Sequence, residues 1–242
     1  SVAARGLGDV YKRQAPYTIY RDCWKLIPGT VVSIDSKAVE RRSLPRPTPY
    51  WSTVEAATNS ASTPSLLSSD DTVDALESLL GDAVSACMVS DAPIGAFLSG
   101  GIDSSTIVAL MQAKSSVPVR TFSIGFTEST YTEAAAAAQI SRHLGTNHTE
   151  LYVTAEDAQT VIHDLPKIYD EPFADSSQIP THLVSRLARE HVTVTLSGDG
   201  GDELFGGYNR YAWSRNLTRV MKILPLPARR WMVRQMLAMS PD

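Results

Sequence analysis

Residues 95–106 read GAFLSGGIDSST, and this short stretch decides the fold. An apolar run ends in Ser-Gly-Gly, and an aspartate and two serines follow where the pattern predicts the start of a helix. A turn between a strand and a helix needs only one flexible glycine and one capping side chain. This junction has two glycines, a carboxylate and three hydroxyls, which is more hydrogen-bonding capacity than a turn requires.

These groups suit a phosphate. Glycines after a strand let the backbone approach a ligand, and a helix amino terminus presents unpaired N–H groups and roughly half a positive charge. Ser99, Ser104 and Ser105 add hydroxyl donors. Asp103 would repel phosphate unless a cation lay between them, and Mg²⁺ is the ion that carboxylate and phosphate usually share. The alternative is that Asp103 or Ser104 only caps the helix. The pattern has no Gly-Lys-Ser/Thr, so it is not a Walker A loop.

Outward from this junction, apolar and β-branched runs alternate with segments of helical periodicity. Such alternation predicts a parallel, twisted α/β sheet with helices on both faces. We expect Asp70 or Asp71 to cap the first helix. The predicted strands are residues 94–98, 119–126, 148–153 and 192–196, and the predicted helices are residues 70–90, 103–113, 131–144, 156–169 and 179–190.

A second glycine-rich loop, SGDGGDELFGGY, follows the last predicted strand at residues 197–208. Asp199, Asp202 and Glu203 lie within five residues, and such crowded carboxylates repel one another unless a cation compensates. The acids do not have the EF-hand spacing. A polar hairpin turn is the alternative. Because both loops follow strands of a parallel sheet, we expect them at the same sheet edge, sharing Mg²⁺ with Asp103.

With two further segments, these loops carry a family resemblance. SGGIDSS resembles the pyrophosphate loop of N-type ATP pyrophosphatases, whose fold is of the adenine nucleotide alpha hydrolase type. Together with TFSIGF (residues 121–126), YDEPFADSS (169–177) and LSGDGGDELFGGY (196–208), it resembles the synthetase domain of glutamine-hydrolysing asparagine synthetases. Upstream, TIYRDCWKLIPGTVV (18–32) and the Tyr-Trp pair at 50–51 resemble the end of that family's glutaminase domain.

The resemblance implies an ATP-dependent carbon–nitrogen ligase that amidates aspartate through a β-aspartyl-adenylate, releasing pyrophosphate and AMP. ATP and Mg²⁺ are the implied cofactors. It implies that Asp199 takes part in forming the adenylate, and that Asp103 and Asp202 hold the metal ion. The implied nucleotide and pyrophosphate contacts are Leu98, Ser99, Gly100, Gly101, Asp103, Ser104, Ser105, Ile124, Ser197 and Gly198.

The same resemblance divides the chain. We expect residues 1–14 to be a non-native leader, 15–51 the end of a glutaminase domain with short β-prone pieces, 52–69 a linker, and 70–242 a synthetase domain truncated at its carboxyl end. The family's glutaminase nucleophile is an amino-terminal cysteine, so Cys23, in the predicted domain end, is interpreted as a packing thiol. We therefore expect an internal fragment that is inactive alone, with the glutaminase domain as missing partner.

The composition of the chain limits the classes of function that fit it. The chain has 242 residues, 43% hydrophobic residues and a net charge of −4, which is typical of a soluble globular protein without a general attraction to nucleic acid or membrane. No apolar run approaches the roughly 18 residues of a membrane span. Two unclustered cysteines, Cys23 and Cys87, fit a cytoplasmic location. The sequence leaves the oligomeric state open, and a homodimer is one of the assemblies that it allows.

The histidines and the basic carboxyl-terminal segment are weaker signals. The histidines have no metal spacing, and we expect His143 and His148 at the surface. Residues 209–240 contain seven Lys or Arg and no acid, and Pro225 and Pro227 divide them into two amphipathic helices. We interpret their basic face as solvated or facing acidic partners rather than nucleic acid, with Arg210 close enough to the second loop to approach phosphate.

Three alternatives to asparagine synthesis stay open at this point. One is a related amidotransferase that acts on another carboxylate, and another is a non-catalytic nucleotide-binding homologue. The third is a sulphur-transferring tRNA modifier with the same ATP loop. That class needs cysteine pairs and a basic RNA-binding face, which Cys23 and Cys87 do not supply.

Overall fold

The structure is a computed structural model that describes residues 12–62, 67–127, 133–223, 225–227 and 229–230. Most of the predicted leader, the expected helix start at residue 131, and Arg234 with most of the second basic helix lie outside the described residues. None of the described helices is long and apolar enough to cross a membrane.

Strands and helices alternate along the larger part of the chain, as predicted. The strands are β1 Thr30–Val31, β2 Thr48–Pro49, β3 Ile94–Phe97, β4 Arg120–Phe126, β5 Asn147–Val153 and β6 Val194–Leu196. The helices are α1 Ser36–Glu40, α2 Thr53–Ser62, α3 Ser69–Cys87, α4 Ile102–Lys114, α5 Glu133–Leu144, α6 Ala155–Ile162, α7 Leu165–Tyr169, α8 Gln178–Arg189, α9 Gly201–Phe205 and α10 Asn209–Ile223.

Four strands form one parallel sheet in the order β5-β4-β3-β6. Ala96 of β3 pairs with Thr121 on one side and with Leu196 on the other. Chain order therefore runs outward from β3 to β5 and then reverses to β6. In doubly wound sheets, ligands bind at the carboxyl ends of the strands where the order reverses, which here is the junction of β3 and β6.

Helices cover both faces of this sheet, which confirms the predicted fold class. On one face α3, α4 and α5 pack on β3, and on the other α6 and α8 pack on β4 and β5. The buried residues of the first face are Val84, Ala96, Leu98, Val108, Met111, Val119 and Ala137. Those of the second are Phe122, Val153, Val161, Leu183, Val184, Ala188 and Val192.

Two helix boundaries differ from the prediction. Ser68, rather than Asp70 or Asp71, caps α3, because its Oγ accepts from the Asp71 N–H at 3.1 Å while it donates to the Asp71 carboxylate at 2.7 Å. The helix expected over residues 156–169 is broken into α6 and α7. Pro166 lies in the first turn of α7, and proline in a helix interior removes an N–H donor and clashes with the preceding turn.

The amino-terminal part forms little regular structure. β1 and β2 pair antiparallel, and Tyr17 makes only an isolated bridge to Trp24. Within the predicted linker, α2 forms without a single buried residue. The domain boundaries stay a prediction. Cys23 is exposed, so its interpretation as a packing thiol is wrong, since this part of the chain has no described core around it.

The expectation of a surface position is wrong for His148, although His143 is exposed as predicted. The His148 side chain is only 8% exposed, and its ring nitrogens lie 2.8 Å from Thr121 Oγ1 and 3.1 Å from Ser123 Oγ. Register explains this: His148 is paired with Thr121 in β4, so both side chains lie on the same face of the sheet. Burial lowers the pKa of His148, and the carboxylate of Glu150, 4.0 Å away, partly opposes that shift.

Candidate functional site

The two glycine-rich loops meet at the junction of β3 and β6. They form a cleft of about 680 Å³ whose walls come from both loops and from α8. The residues that line the cleft are Phe97, Ser99, Gly101, Ile102, Asp103, Ser104, Thr181, Val184, Ser197, Gly198, Asp199, Gly200, Asp202, Glu203, Phe205, Gly207 and Tyr208. The sequence-based expectation that both loops lie at one sheet edge is therefore met by the geometry.

In the first loop the serine hydroxyls hold the backbone turn together. Ser104 Oγ accepts from the Ser99 N–H at 3.2 Å and lies 3.0 Å from Ser99 Oγ. Ser105 Oγ donates to the Gly101 carbonyl at 2.6 Å. Ser104 is buried, whereas Ser99 is exposed to the cleft. These hydrogen bonds stabilise the conformation of the loop.

The helix that starts here has no side-chain cap. Gly101 is the N-cap residue of α4, and no side chain in the described part of the chain accepts a hydrogen bond from the first turn. The alternative in which Asp103 or Ser104 only caps the helix does not agree with this geometry. An uncapped amino terminus that opens into a cleft keeps its N–H groups and the positive end of its dipole directed at an anion.

Close packing between the loops accounts for several glycines. A Cβ built on Gly198 would lie 2.6 Å from the Ser104 nitrogen, and one built on Gly201 would lie 2.5 Å from Asp103 Cγ. A side chain at either position would therefore displace Asp103. Gly100 has a different role, because its φ is +82° and a Cβ there would lie 2.7 Å from Ala136 Cβ on α5. This glycine lets α5 pack against the loop.

The second loop presents its acids in different surroundings. Asp199 is exposed, and its Oδ2 accepts from Ser197 Oγ at 3.0 Å. Asp202 is half-buried, and a Cβ on Gly207 would overlap its Oδ1. The Gly206-Gly207 turn therefore wraps closely around Asp202 and limits where that carboxylate can point.

Within and just after the second loop, three side chains contact one another. Tyr208 Oη donates to Glu203 Oε1 at 2.8 Å, and the Arg210 guanidinium lies 4.1 Å from the centre of the Tyr208 ring. This hydrogen bond lowers the pKa of Glu203 and raises the pKa of Tyr208. Arg210 stacks on Tyr208, so it lies beside the second loop as expected, although it is not among the cleft-lining residues. Its approach to phosphate stays a prediction.

The remaining sequence-based site residues fall into two groups. Ser99, Gly101, Asp103, Ser104, Ser197, Gly198, Asp199 and Asp202 all line the cleft. Leu98, Gly100, Ser105 and Ile124 do not. Leu98 is buried in the core with its N–H bonded to the Phe122 carbonyl, and Ile124 packs against the clusters beneath α6 and α8.

Sequence reasoning missed Thr181 and Val184, which line the cleft from α8. They lie three residues apart on α8, a helix that belongs to neither of the two glycine-rich loops. The only signal for them was the YDEPFADSS segment, which ends at the start of α8.

The donor atoms in the cleft fit a magnesium ion that is shared with phosphate. Asp103 and Asp202 are half-buried carboxylates in one cleft, and hard cations prefer oxygen ligands. Among the residues that the structure describes, no three His, Cys, Asp or Glu side chains cluster to hold a metal by themselves. Mg²⁺ usually takes one or two carboxylates and completes its shell with phosphate oxygens and water.

Comparison with known proteins gives the same family along the chain. The family model described as asparagine synthase matches residues 75–240. A relative in Methanocaldococcus jannaschii is 39% identical over 197 residues, which are 80% of this chain and 36% of that protein. Asparagine synthetase [glutamine-hydrolyzing] 1 of Bacillus subtilis is 42% identical over 146 residues, 59% of this chain and 22% of that protein.

Among solved structures, the NH3-dependent NAD synthetase of Campylobacter jejuni aligns with a TM-score of 0.41 and 16% identity, over 56% of this chain and 60% of that one. The chain spans about a third or less of the length of the two curated relatives above. The family match covers more than half of the chain and includes both glycine-rich loops with the sheet between them. This chain therefore belongs to the asparagine synthase family.

Proposed function

We propose that the parent protein of this chain synthesises asparagine from aspartate and ATP, with glutamine as the nitrogen donor. The observation that carries the proposal is the uncapped amino terminus of α4, which opens into the same cleft as Asp103, Asp199 and Asp202. This arrangement suits a nucleotide whose polyphosphate is held by backbone N–H groups while its charge is balanced beside carboxylates.

The reaction proceeds in two displacements. The side-chain carboxylate of aspartate attacks the α-phosphorus of ATP, forming the β-aspartyl-adenylate as pyrophosphate leaves with the electrons of the α–β bond. Ammonia released from glutamine then attacks the acyl carbon, AMP leaves, and the nitrogen loses a proton to give the amide. Stabilising the charge that develops on phosphate oxygens is the main contribution that preorganised donors make to such a reaction.

The first loop would hold the pyrophosphate. Ser99 and the α4 amino terminus face the cleft directly, and buried Ser104 keeps Ser99 in place through its hydrogen bonds. Gly100 and Ser105 would act by shaping the loop, since neither lines the cleft. When bound, Mg²⁺ held by Asp103 and Asp202 would neutralise the charge of the leaving pyrophosphate.

The second loop would hold the rest of the nucleotide and the acyl group. Ser197 and Gly198 line the cleft next to β6, and Asp199 is exposed in it beside Ser197. We assign Asp199 to the formation of the adenylate. Leu98 and Ile124, whose side chains are packed away from the cleft, would contact adenosine only through their backbone.

Binding of Mg-ATP tests the nucleotide site. Titrating ATP into the 242-residue chain with and without Mg²⁺ should show tighter binding with the metal, and Asp103→Ala should abolish that difference. Equal, weak binding in all four cases would refute the assignment of the first loop. A matched control is Asp82→Ala, because Asp82 is an exposed carboxylate on α3 that is not among the residues lining the cleft.

The acceptor acid is tested on the parent protein. Pyrophosphate release should be measured with ammonia and a series of carboxylic acids, and aspartate should give the fastest release. Release with another acid but not with aspartate would favour the related amidotransferase. Binding of Mg-ATP without release for any acid would favour a non-catalytic homologue.

A further inference from the structure

Residues 12–25 lie against the segment that leads into α8. Tyr20 Oη donates to the Asp170 carbonyl at 2.6 Å, and Lys12 makes an antiparallel bridge to Phe173 with its ammonium 5.8 Å from the centre of the Phe173 ring. Lys25 Nζ lies 3.0 Å from Glu171 Oε1. Three contacts of different chemistry thus join two parts of the chain that are about 150 residues apart in sequence.

The Lys25–Glu171 ion pair is the least exposed of these contacts. The Glu171 side chain is 14% exposed, and its second oxygen, Oε2, is buried with no hydrogen-bond partner among the residues that the structure describes. Lys25 is 37% exposed and also donates to the Arg13 carbonyl at 2.9 Å. A buried carboxylate that loses its cationic partner is destabilised far more than an exposed one. The position of Glu171 therefore depends on Lys25.

Glu171 is connected to the cleft through a short, hydrogen-bonded segment. Gln178 Nε2 donates to the Phe173 carbonyl at 3.0 Å, and the Ser177 N–H donates to Asp175 Oδ1 at 2.9 Å. These bonds fold residues 173–178 onto the first turn of α8. Thr181 and Val184, within two turns of that point, line the cleft.

We propose that residues 15–25, which follow the predicted leader, are a positioning element for the nucleotide cleft, acting through the Lys25–Glu171 pair on the segment 170–178 and so on α8. Lys25 and Glu171 are positioning residues, since neither lines the cleft. The effect on ATP rests on the proposed function, whereas the effect on the segment 170–178 does not. A change of position in the amino-terminal part would alter nucleotide affinity through this connection.

The test uses Lys25→Met, Glu171→Gln, the double variant and Lys25→Arg in the 242-residue chain. Amide hydrogen exchange over residues 170–184 and Mg-ATP affinity are both measured. The matched control is Lys167→Met, because Lys167 pairs with Asp164 at 3.4 Å with both side chains mostly exposed. Exposed pairs contribute little, so this control should match the wild type.

Lys25→Met should accelerate exchange of residues 170–178 by about tenfold and weaken Mg-ATP binding by about two- to fivefold, within the range measured for contacting residues. Glu171→Gln should have a smaller effect, because it leaves no buried charge. The double variant should resemble Glu171→Gln, and Lys25→Arg the wild type. Additive effects in the double variant, or unchanged exchange in residues 170–178, would overturn the proposal.

Two further outcomes separate this proposal from the nucleotide assignment. Faster exchange in residues 170–178 with unchanged exchange in 179–184 and unchanged Mg-ATP affinity would overturn the connection to the cleft. A wild-type chain that binds no Mg-ATP would refute the assignment of the cleft to a nucleotide. The pattern of exchange over residues 179–184 would then still support or overturn the positioning role.

Discussion

Gly201 approaches Asp103 so closely that a Cβ built on Gly201 would lie 2.5 Å from the Asp103 carboxyl carbon. The two residues come from different loops about a hundred positions apart, and β3 and β6 bring them together as neighbouring strands. Heavy atoms that are not bonded to each other do not approach to this distance without repulsion. The glycine therefore sets how far Asp103 can extend over the second loop.

Gly201→Ala should displace Asp103 and weaken the magnesium-dependent part of ATP binding by about tenfold, which corresponds to about 1.4 kcal/mol. Titration of ATP with and without Mg²⁺ measures this part separately. Gly81→Ala in α3 is the control, since among the described residues a Cβ there would meet only the flexible end of Lys114, at 3.7 Å. It should leave binding unchanged and stabilise the helix by up to about 1 kcal/mol. If ATP binding by Gly201→Ala depended on Mg²⁺ as strongly as in the wild type, the assignment of Asp103 to the metal site would be wrong.

Gly100→Ala should destabilise the fold by about 2 to 4 kcal/mol, because it combines a left-handed backbone with steric overlap. Its φ is +82°, and a new Cβ would lie 2.7 Å from Ala136 Cβ and 3.1 Å from the Ala137 nitrogen. Denaturant unfolding measures the free-energy change.

Gly145→Ala separates the two causes. Its φ is +72°, but a Cβ there would meet no atom of the described residues within 4 Å. In this variant the free energy of unfolding should fall only by the cost of the left-handed backbone, about 1 kcal/mol. Equal losses in the two variants would mean that α5 does not pack tightly against the first loop.

The strands and the two loops could be predicted because simple rules govern them. Parallel strands are short, apolar and separated by helices, and their carboxyl ends share one edge, so residues that follow them converge. Asp103 and Asp202 could be assigned to one cleft on this basis alone. The break before Pro166 was missed, because the helical periodicity of residues 156–169 was given more weight than the proline that disrupts a helix interior.

Other features depend on tertiary packing that the local pattern does not contain. Thr181 and Val184 reach the cleft because α8 crosses the opposite sheet face at that edge, and helical spacing alone does not say which turn will do so. His148 is buried because strand register places it next to Thr121. A polar residue at the start of an edge strand is ordinarily exposed, and here three hydroxyl groups nearby make its burial tolerable.

Tyr208→Phe should loosen the second loop in a pH-dependent way. The Tyr208 hydrogen bond lowers the pKa of Glu203 below its usual 4.5 and raises that of Tyr208 above its usual 10.0. The depressed Glu203 pKa means that the bond's contribution is present above about pH 4.5 and is lost as the pH falls through the folded-state pKa. The raised Tyr208 pKa means that it is lost again as the pH rises through that folded-state value.

The difference in Tm between wild type and Tyr208→Phe should therefore be largest between these two limits and vanish in acid. Both groups are at the surface, so the difference should be small, at most a few degrees. Tyr152→Phe is a comparison on β5, where Tyr152 Oη donates to Glu150 at 2.9 Å far from the second loop. Exchange of the amides of residues 201–208 should rise only in Tyr208→Phe. A pH-independent Tm difference would mean that the Tyr208–Glu203 bond is absent in solution.

His148 should make the fold less stable in mild acid. Burial lowers its pKa below the usual 6.5 of the unfolded chain, so between the two pKa values the unfolded state binds more protons than the folded state. Stability is therefore lost as the pH falls through 6.5 towards the folded-state pKa. His148→Asn removes this titration, so its Tm should fall less than that of the wild type between about pH 7.5 and about pH 5. His143→Asn, at an exposed position on α5, should retain the wild-type slope. Equal slopes in all three chains would show that His148 takes up its proton as readily in the folded protein as in the unfolded one, and would contradict the lowering of its pKa by burial.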